Sequence, residues 1–355
     1  MTTLFDSLKV GNLELKNRII MSPMTRSRAD DAGVQPDFSA GYYVQRASAG
    51  LIITEAVNIS PMAKGYIRTP GIYTPEQIKA WKKVAVAVKE KGGKSFMQLY
   101  HTGRIALPDF LPDNAQPIAP SAVKASGQNY TDDGMKDFVE PREITKQEIK
   151  QTIRDFVAAA KSAIDAGFDG AELHAASGYI VQQFLSTNAN LRPDEYGGSI
   201  ENRARFLFET INAMTEAVGA ERVGIKLSPR MGFNDIEETD ADALYEYVVK
   251  NLSGRNLAYL HISDVGNQGW HAKLRPLFDG VYFANSGLTK ETGGEMLAEN
   301  DADAIVYGVL FLANPDLPKR FAKNAELNQP DQSTFYTPGE KGYTDYPTFE
   351  QAEAA

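Results

Sequence analysis

Short apolar segments alternate with longer segments of helical period along most of the chain. The apolar segments span residues 18–23, 50–57, 95–101, 170–176, 223–229, 259–264, 281–286 and 304–309. Apolar segments of this length predict strands that are buried on both faces. Eight such strands with helices between them predict an α/β fold, a parallel sheet closed into a (β/α)8 TIM barrel. A doubly wound sheet is the alternative, but the sequence lacks the Gly-x-Gly-x-x-Gly turn that it would need.

Capping residues and apolar faces predict the helices between the strands. Thr74-Pro75-Glu76-Gln77 combines a capping threonine, a proline in the first turn and a glutamine three residues after the cap. Residues 145–148 form a second capping box, and Gly167 is expected to end that helix. A last helix is predicted from about residue 314. Three other helices are predicted to begin at Ser199, Thr239 and Thr289.

Two segments fall outside the regular alternation. Residues 4–17 contain a Gly11-Asn12 turn and predict a small hairpin before the barrel. Residues 102–143 form a long, proline-rich connection after the third strand, without a clear helical period. Loops after barrel strands lie on the active face, so this insertion is predicted to be a subdomain that caps the pocket; a disordered insertion is the alternative. Residues 1–355 are predicted to form a single barrel domain, with 102–143 as its capping subdomain.

Charge and composition exclude several classes of function. The 355 residues carry a net charge of −9 and contain no cysteine. Nucleic acids are bound by clustered positive charge, so no nucleic-acid partner is expected. Disulfides, cysteine nucleophiles and cysteine-bound metals are excluded, and no metal site is predicted. We find no signal peptide and no apolar run near the ~18 residues of a membrane helix, which predicts a cytoplasmic protein without a membrane partner.

Polar residues suited to catalysis follow the predicted fourth strand. His174, Ser177 and Tyr179 come together at its carboxyl end, where barrel enzymes hold their catalytic groups. His174 and Ser177 are suited to donate jointly to a carbonyl oxygen. Tyr179, with an ordinary phenol pKa near ~10, can supply a proton at neutral pH. A lone histidine in an apolar strand is more often structural, and His261 is interpreted in that way.

Other strands supply groups for a planar, polar ligand. Gln98 on the third strand offers an amide donor and acceptor that suit the edge of a heterocycle. Lys226 on the fifth strand offers positive charge to a ring that becomes anionic on reduction. The loops at Ser286-Gly287 and at Gly308, after the seventh and eighth strands, are the usual phosphate site of this fold. Together these groups predict a binding site for a ligand with hydride chemistry.

Longer motifs are spread over the chain between residues 4 and 347. They include Ser22-Pro23-Met24-Thr25-Arg26, His101-Thr102-Gly103-Arg104, Glu172-Leu173-His174 with Gly178-Tyr179, and the run 190–206. The run 190–206 is the most specific of them. In these motifs the chain resembles the old yellow enzyme family of FMN-dependent ene-reductases. Thr25, where one branch of the family has cysteine, points to the branch of the bacterial pentaerythritol tetranitrate and N-ethylmaleimide reductases.

The resemblance implies an activity, its cofactors and its site residues. FMN would lie at the barrel mouth and be reduced by NADPH, or less often by NADH. Its N5 would pass hydride to the β-carbon of an α,β-unsaturated carbonyl or a nitroalkene, and Tyr179 would protonate the α-carbon. The implied flavin contacts are Pro23, Met24, Thr25, Ala56, Gln98, His174, Lys226, Ser286, Gly287, Gly308 and Val309. The implied substrate contacts are Tyr66, His174, Ser177, Tyr179 and Tyr336.

Three positions depart from the family pattern. Ser177 stands where asparagine or histidine is usual, and Lys226 where arginine is usual, which loses a bidentate contact. Val309 replaces the arginine that normally grips the FMN phosphate. The alternative function is therefore a barrel that binds flavin weakly and acts as a non-catalytic binding protein. The sequence leaves open the natural substrate, NADPH or NADH preference, stereochemistry, and whether the protein is a monomer or a homo-oligomer.

Overall fold

The computed structural model describes residues 1–354, and its strands confirm the predicted α/β barrel. In chain order the strands are β1 (Leu8–Val10), β2 (Leu13–Leu15), β3 (Ile19–Met21), β4 (Leu51–Ile53), β5 (Val57–Asn58), β6 (Ser95–Tyr100), β7 (Ile118–Ala119), β8 (Gln128–Thr131), β9 (Gly134–Asp137), β10 (Arg142–Glu143), β11 (Gly170–Ala175), β12 (Val223–Leu227), β13 (Tyr259–Ser263), β14 (Tyr282–Asn285) and β15 (Ala304–Tyr307). The barrel strands are β3, β4, β6 and β11 to β15. They form one closed parallel sheet, because β11 pairs with both β12 and β6.

The helices surround this barrel. They are α1 (Ser39–Gln45), α2 (Pro75–Glu90), α3 (Lys146–Ala166), α4 (Ile180–Leu185), α5 (Ile200–Val218), α6 (Ala241–Leu252), α7 (Trp270–Leu274), α8 (Lys290–Glu299), α9 (Val309–Ala313), α10 (Leu317–Lys323) and α11 (Phe349–Glu353). Thr74 and residues 145–148 form the predicted capping boxes, and Gly167 ends α3 with a φ of 104°. Among residues 1–354, no helix combines the length and the hydropathy that crossing a bilayer requires.

Two helices begin later than predicted. The side chain of Thr239 donates to Thr187 Oγ1 rather than capping a helix, and α6 begins two residues later, at Ala241. The last helix predicted, from about residue 314, is α10, which begins at Leu317 after α9 has ended at Ala313.

The eighth barrel strand is shorter than predicted. It ends at Tyr307, because Gly308 adopts a φ of −95° and a ψ of −94°, which breaks the extended backbone. Val309 then becomes the first residue of α9, and 47 % of its surface is exposed. The side chain is thus outside the barrel ladder, on the face where the strands end.

The predicted amino-terminal hairpin is confirmed and closes one end of the barrel. β1 and β2 pair antiparallel, with Leu8 opposite Leu15. Val10 and Leu15 are fully buried and belong to the same apolar cluster as Ile20, Phe96 and Phe283 of the barrel strands. Burial of this surface stabilises the closed end.

Side chains that point into the barrel form an apolar layer and, above it, a polar layer. Successive residues of a strand face opposite sides of the sheet, so inward positions recur every second residue. The apolar layer, next to the hairpin, includes Ile20, Phe96, Tyr259 and Phe283. Two residues further along the same strands lie Ser22, Gln98, His261 and Asn285. The polar end of the barrel is therefore the carboxyl end.

The insertion 102–143 carries secondary structure of its own. β8 and β9 form an antiparallel hairpin, and β7 pairs in parallel with β10. Its apolar side chains pack against Tyr100 and Tyr179, at the carboxyl end of the barrel: they are Ile105, Leu107, Ala125 and Phe138. The insertion is therefore ordered, and its role as a cap stays a prediction.

The threonine that caps α3 allows a test of helix stability. Thr145 Oγ1 accepts from the Glu148 N–H, and the Glu148 carboxylate accepts from the Thr145 N–H. Thr145→Ala is expected to lower the free energy of unfolding by about 1 kcal/mol. The control Thr348→Ala removes an equivalent box from α11, an exposed five-residue helix at the chain end, and is expected to cost less. Urea unfolding curves measure both; equal losses would contradict the expectation.

Candidate active site

A cavity of about 300 Å³ opens at the carboxyl ends of the barrel strands. It is lined by Pro23, Met24, Thr25, Ala56, Gln98, His174, Ser177, Tyr179, Lys226, Phe233, Val309, Leu312, Phe335 and Tyr336. The loops after several barrel strands thus converge on one hollow, as expected for the catalytic face of this fold. Most of the residues proposed from the sequence lie together here.

His174 is held in the cavity wall as a neutral imidazole. It lies on β11 directly beside Lys226 on β12, and only 5 % of its surface is exposed. Burial lowers the pKa of His174 well below its usual value, and the charge of Lys226 adds to this effect. Its Nδ1 atom is buried and has no hydrogen-bond partner within residues 1–354. A buried polar atom without a partner marks a place where a ligand atom can bind.

Tyr179 lies close to His174 and keeps its proton. The two rings meet edge to face, with centroids 5.0 Å apart. The Tyr179 hydroxyl donates to the Tyr66 hydroxyl at 3.2 Å. Burial raises the pKa of Tyr179 well above its usual value, so the phenol is protonated at neutral pH. A proton donor and a neutral imidazole therefore share one wall.

Ser177 occupies a strained position in the turn between them. Its φ is +58°, in the left-handed region that asparagine tolerates better than serine. The surrounding structure holds it there: its N–H donates to Ser228 Oγ at 2.9 Å, and its carbonyl accepts from Asn234 Nδ2 at 2.8 Å. The side chain of Ser177 is short, but these two hydrogen bonds fix the position of its backbone.

Lys226 is the cation of the cavity lining. It stands between His174 and His261 in the register of neighbouring strands. Burial lowers the pKa of Lys226, and attraction to Glu172 partly opposes that shift. Within the described residues the ammonium makes no ion pair shorter than 4 Å. Its charge is available to a ligand.

A larger outer cavity, of about 540 Å³, adjoins the first. Both cavities are lined by Thr25, Tyr179, Phe233 and Tyr336. Tyr66 lines the outer cavity together with Asn129 and Tyr130 of the insertion. The three tyrosines proposed as substrate contacts, Tyr66, Tyr179 and Tyr336, therefore face this connected space.

Three residues proposed for the phosphate do not line either cavity. Ser286, with a φ of +117°, places its hydroxyl 2.9 Å from Ser263 Oγ, and Gly287 follows it. A Cβ at Gly308 would lie 3.7 Å from Met24 Sδ, so Gly308 is next to the cavity wall. Their predicted role in flavin binding stays a prediction.

Sequence reasoning missed three residues of the cavity lining and one buried residue, Glu172, that bonds to Gln98. Phe233, Leu312 and Phe335 line the cavity from loops and a helix far along the chain, and no local pattern distinguishes them from other apolar residues. Glu172 stands two residues before His174 on β11, and its inward position followed from the strand period. A charged residue in a predicted buried strand was the signal for it.

The residues present fit a flavin ring. Gln98 and Lys226 supply an amide and a cation, whereas Pro23, Met24 and Leu312 supply apolar surface. The unpartnered Nδ1 of His174 provides a site for a polar ligand atom. No arginine belongs to the described lining, so this cavity offers no guanidinium to a ribityl phosphate. A closed parallel barrel with these groups at its carboxyl end suits a flavin-dependent oxidoreductase.

Comparison with known proteins establishes the family. Residues 3–328 match the NADH:flavin oxidoreductase / NADH oxidase family, and the chain belongs to it. This is the old yellow enzyme family, so the protein is an NAD(P)H-dependent flavin oxidoreductase, and membership implies FMN as the cofactor. The finer assignment to one bacterial branch stays a prediction.

Relatives match over nearly the full length. A 12-oxophytodienoate reductase 1 from Oryza sativa subsp. japonica is 45% identical, over 97% of this chain and 93% of that protein. A probable flavin mononucleotide-dependent alkene reductase from Leishmania infantum is 41% identical, over 96% of both. Among solved structures, morphinone reductase superposes with a TM-score of 0.95 at 43% identity, over 99% and 97% of the two chains. An old yellow enzyme homologue from Zymomonas mobilis also superposes with a TM-score of 0.95, at 38% identity, over 97% of this chain and 99% of that chain.

Proposed function

We propose that the protein reduces the activated C=C bond of α,β-unsaturated carbonyls or nitroalkenes, using FMN and NADPH or NADH. The observation that carries this proposal is the pair formed by His174 and Tyr179. A neutral imidazole and a protonated phenol lie 5.0 Å apart, centroid to centroid, on one wall of the cavity. This reaction needs a hydrogen-bond donor for an activating oxygen and an acid for a carbon atom.

The residues that would hold FMN lie on the inner part of the cavity. When bound and reduced, FMN supplies hydride chemistry that no side chain can provide. Gln98 would bind the polar edge of the ring, and Lys226 would stabilise its negative charge. The other proposed contacts are Pro23, Met24, Thr25, Ala56, His174, Ser286, Gly287, Gly308 and Val309.

His174 and Ser177 would bind the carbonyl or nitro oxygen of the substrate. Negative charge grows on this oxygen as the β-carbon is reduced, so donors fixed beforehand stabilise the transition state. The backbone of Ser177 is fixed by Ser228 and Asn234. Since the serine side chain is short, His174 would provide most of this stabilisation.

Tyr179 would deliver the proton to the α-carbon. Its hydroxyl is bonded to that of Tyr66, which lines the outer cavity and offers a route by which the proton is replaced. The insertion 102–143 would cap the mouth and exclude water, which strengthens the hydrogen bonds at the substrate oxygen. Packing of Leu107 and Phe138 with Tyr179 in one apolar cluster supports this role.

A direct assay tests the proposal. The purified protein, incubated with excess FMN, is mixed anaerobically with NADPH or NADH and then with 2-cyclohexenone or a nitroalkene. We expect the flavin absorbance to bleach and then to return as the saturated product forms. Flavin that binds but is not reoxidised by either electrophile would favour the alternative, a non-catalytic binding protein. That alternative is motivated by the absence of arginine from the described cavity lining.

Val309 is the position at which flavin affinity is expected to be limited. It begins α9, lines the cavity and is 47 % exposed, so a longer side chain has room. Val309→Arg would add a charged donor for the phosphate and is expected to lower the Kd for FMN by about 10- to 100-fold. Val86→Arg, on the outer face of α2, adds the same charge at a 41 % exposed valine and serves as control. Quenching of FMN fluorescence measures the Kd of both variants. Equal affinities of Val309→Arg and Val86→Arg for FMN would place the phosphate elsewhere.

A further inference from the structure

A buried chain of hydrogen bonds crosses the barrel at the level of Gln98. Gln98 Nε2 donates to Glu172 Oε1 at 2.7 Å. The other carboxylate oxygen, Glu172 Oε2, lies 2.9 Å from His261 Nδ1, and His261 Nε2 lies 2.9 Å from Asn285 Nδ2. The exposed fractions of Gln98, Glu172 and His261 are 1%, 0% and 0%. These hydrogen bonds connect β6, β11, β13 and β14; Gln98, Glu172 and His261 are buried, and Asn285 is partly exposed.

A carboxylate in this position is costly to bury unless each oxygen is bonded. Both oxygens of Glu172 have a donor, and its negative charge also acts on Lys226, where it opposes the effect of burial on the lysine pKa. Neutral residues would fill a barrel interior at lower cost. The charge and the acceptor atoms of Glu172 therefore call for an explanation beyond packing.

The donor and acceptor roles along the chain follow from Glu172. A carboxylate only accepts, so the amide nitrogen of Gln98 must turn towards it, and Nδ1 of His261 must carry the proton. Nε2 of His261 is then free to accept from Asn285. The amide oxygen of Gln98 accepts no hydrogen bond within residues 1–354, and Gln98 lines the cavity. The orientation of Gln98 thus leaves an acceptor for a ligand.

We propose that Glu172 and His261 are positioning residues for the flavin site. By accepting from Gln98, Glu172 keeps the Gln98 oxygen available to the single ring N–H of an isoalloxazine, and His261 holds the carboxylate in place. The proposal rests on the proposed use of FMN and adds to it the means by which the ring edge is recognised.

The test compares FMN with N3-methyl-FMN, which lacks the ring N–H. For wild-type protein we expect the Kd for FMN to be about tenfold lower than the Kd for N3-methyl-FMN. This ratio corresponds to the free energy of one hydrogen bond at a buried site. Glu172→Met has a similar volume but no acceptor, so the Gln98 amide can turn, and the preference for FMN is expected to fall to about twofold or less. Glu172→Gln keeps one acceptor oxygen and should retain a smaller preference than wild type. Glu209→Met is the control. Glu209 lies on the outer helix α5, outside the cavity lining, and its carboxylate accepts from the Tyr196 hydroxyl.

The outcomes separate positioning from packing and from the proposed function. Weaker binding of both flavins with an unchanged ratio in the Glu172 variants would mean a purely structural role and would overturn the proposal. Wild-type protein that discriminates as expected but reduces no alkene would remove the proposed function and leave the positioning role. Failure of the wild type to bind FMN would overturn both.

A second measurement is made on the wild-type protein itself. The sequence has four histidines, so imidazole 15N NMR of labelled protein resolves them, and His261→Asn assigns the signal. We expect the neutral tautomer of His261 with its proton on Nδ1, unchanged between about pH 6 and pH 8 because burial lowers its pKa. A proton on Nε2 would contradict the chain of donors and overturn the proposal.

Discussion

Tyr179→Phe is expected to slow protonation of the substrate by about 10²- to 10⁴-fold, the usual contribution of a positioned general acid. The structure explains why the loss should be specific. The ring of phenylalanine keeps the edge-to-face contact with His174 and removes only the hydroxyl that bonds to Tyr66. Stopped-flow reoxidation of the reduced enzyme by 2-cyclohexenone measures the effect, whereas reduction by NADPH should be unchanged.

The pH dependence of the wild type gives an independent check. A phenol loses its proton only when the pH passes its pKa, and burial holds the pKa of Tyr179 well above the usual value. The reoxidation rate should therefore not fall between about pH 7 and pH 9 through this group. Tyr196→Phe, which removes a hydroxyl bonded to Glu209, serves as control. Reoxidation of Tyr179→Phe at the wild-type rate would show that solvent supplies the proton.

His174→Ala is expected to reduce the rate of alkene reduction by about 10²- to 10³-fold, the cost of removing one donor from an oxyanion site. It should also weaken the binding of phenolic ligands, which charge-transfer absorbance with the flavin reports. The effect should be large because Ser177 has a short side chain, so little donation would remain once the imidazole is lost. The neutral state of His174 makes it a donor whose strength does not change near pH 7.

A second buried histidine provides the matched control for that experiment. His271 lies on α7, where its Nδ1 is 3.0 Å from the Tyr282 hydroxyl, and it does not line the cavity. His271→Ala is expected to cost stability without changing ligand binding. Phenol titrations of His174→Ala that match the wild type would show that the activating oxygen binds elsewhere.

The architecture followed from local patterns in the sequence. Apolar runs such as 223–229, separated by capped helices, predicted eight parallel strands, and capping boxes predicted the first turns of α2 and α3. These signals depend on residues only a few positions apart, which is why they can be read without a structure. The end of β15 was mispredicted because nothing local distinguishes the backbone break at Gly308 from a continuing strand.

The candidate site was predicted only in part. Gln98, His174, Tyr179 and Lys226 were found because functional groups of a barrel lie at strand ends. Their meeting in one cavity, and the place of Phe233 and Phe335 in its wall, required the three-dimensional structure. His261 was interpreted as structural, yet its bond to Glu172 joins residues 89 positions apart beneath the cavity.

The sequence alone determined the class of fold, the order of its elements and the residue types available for catalysis. The tertiary structure decided the protonation of His174 and Tyr179, the strained backbone of Ser177 and the orientation of Gln98. The physical reason is that strand and helix periods arise from neighbouring residues. Burial, pKa shifts and hydrogen-bond direction arise from groups that only folding brings together.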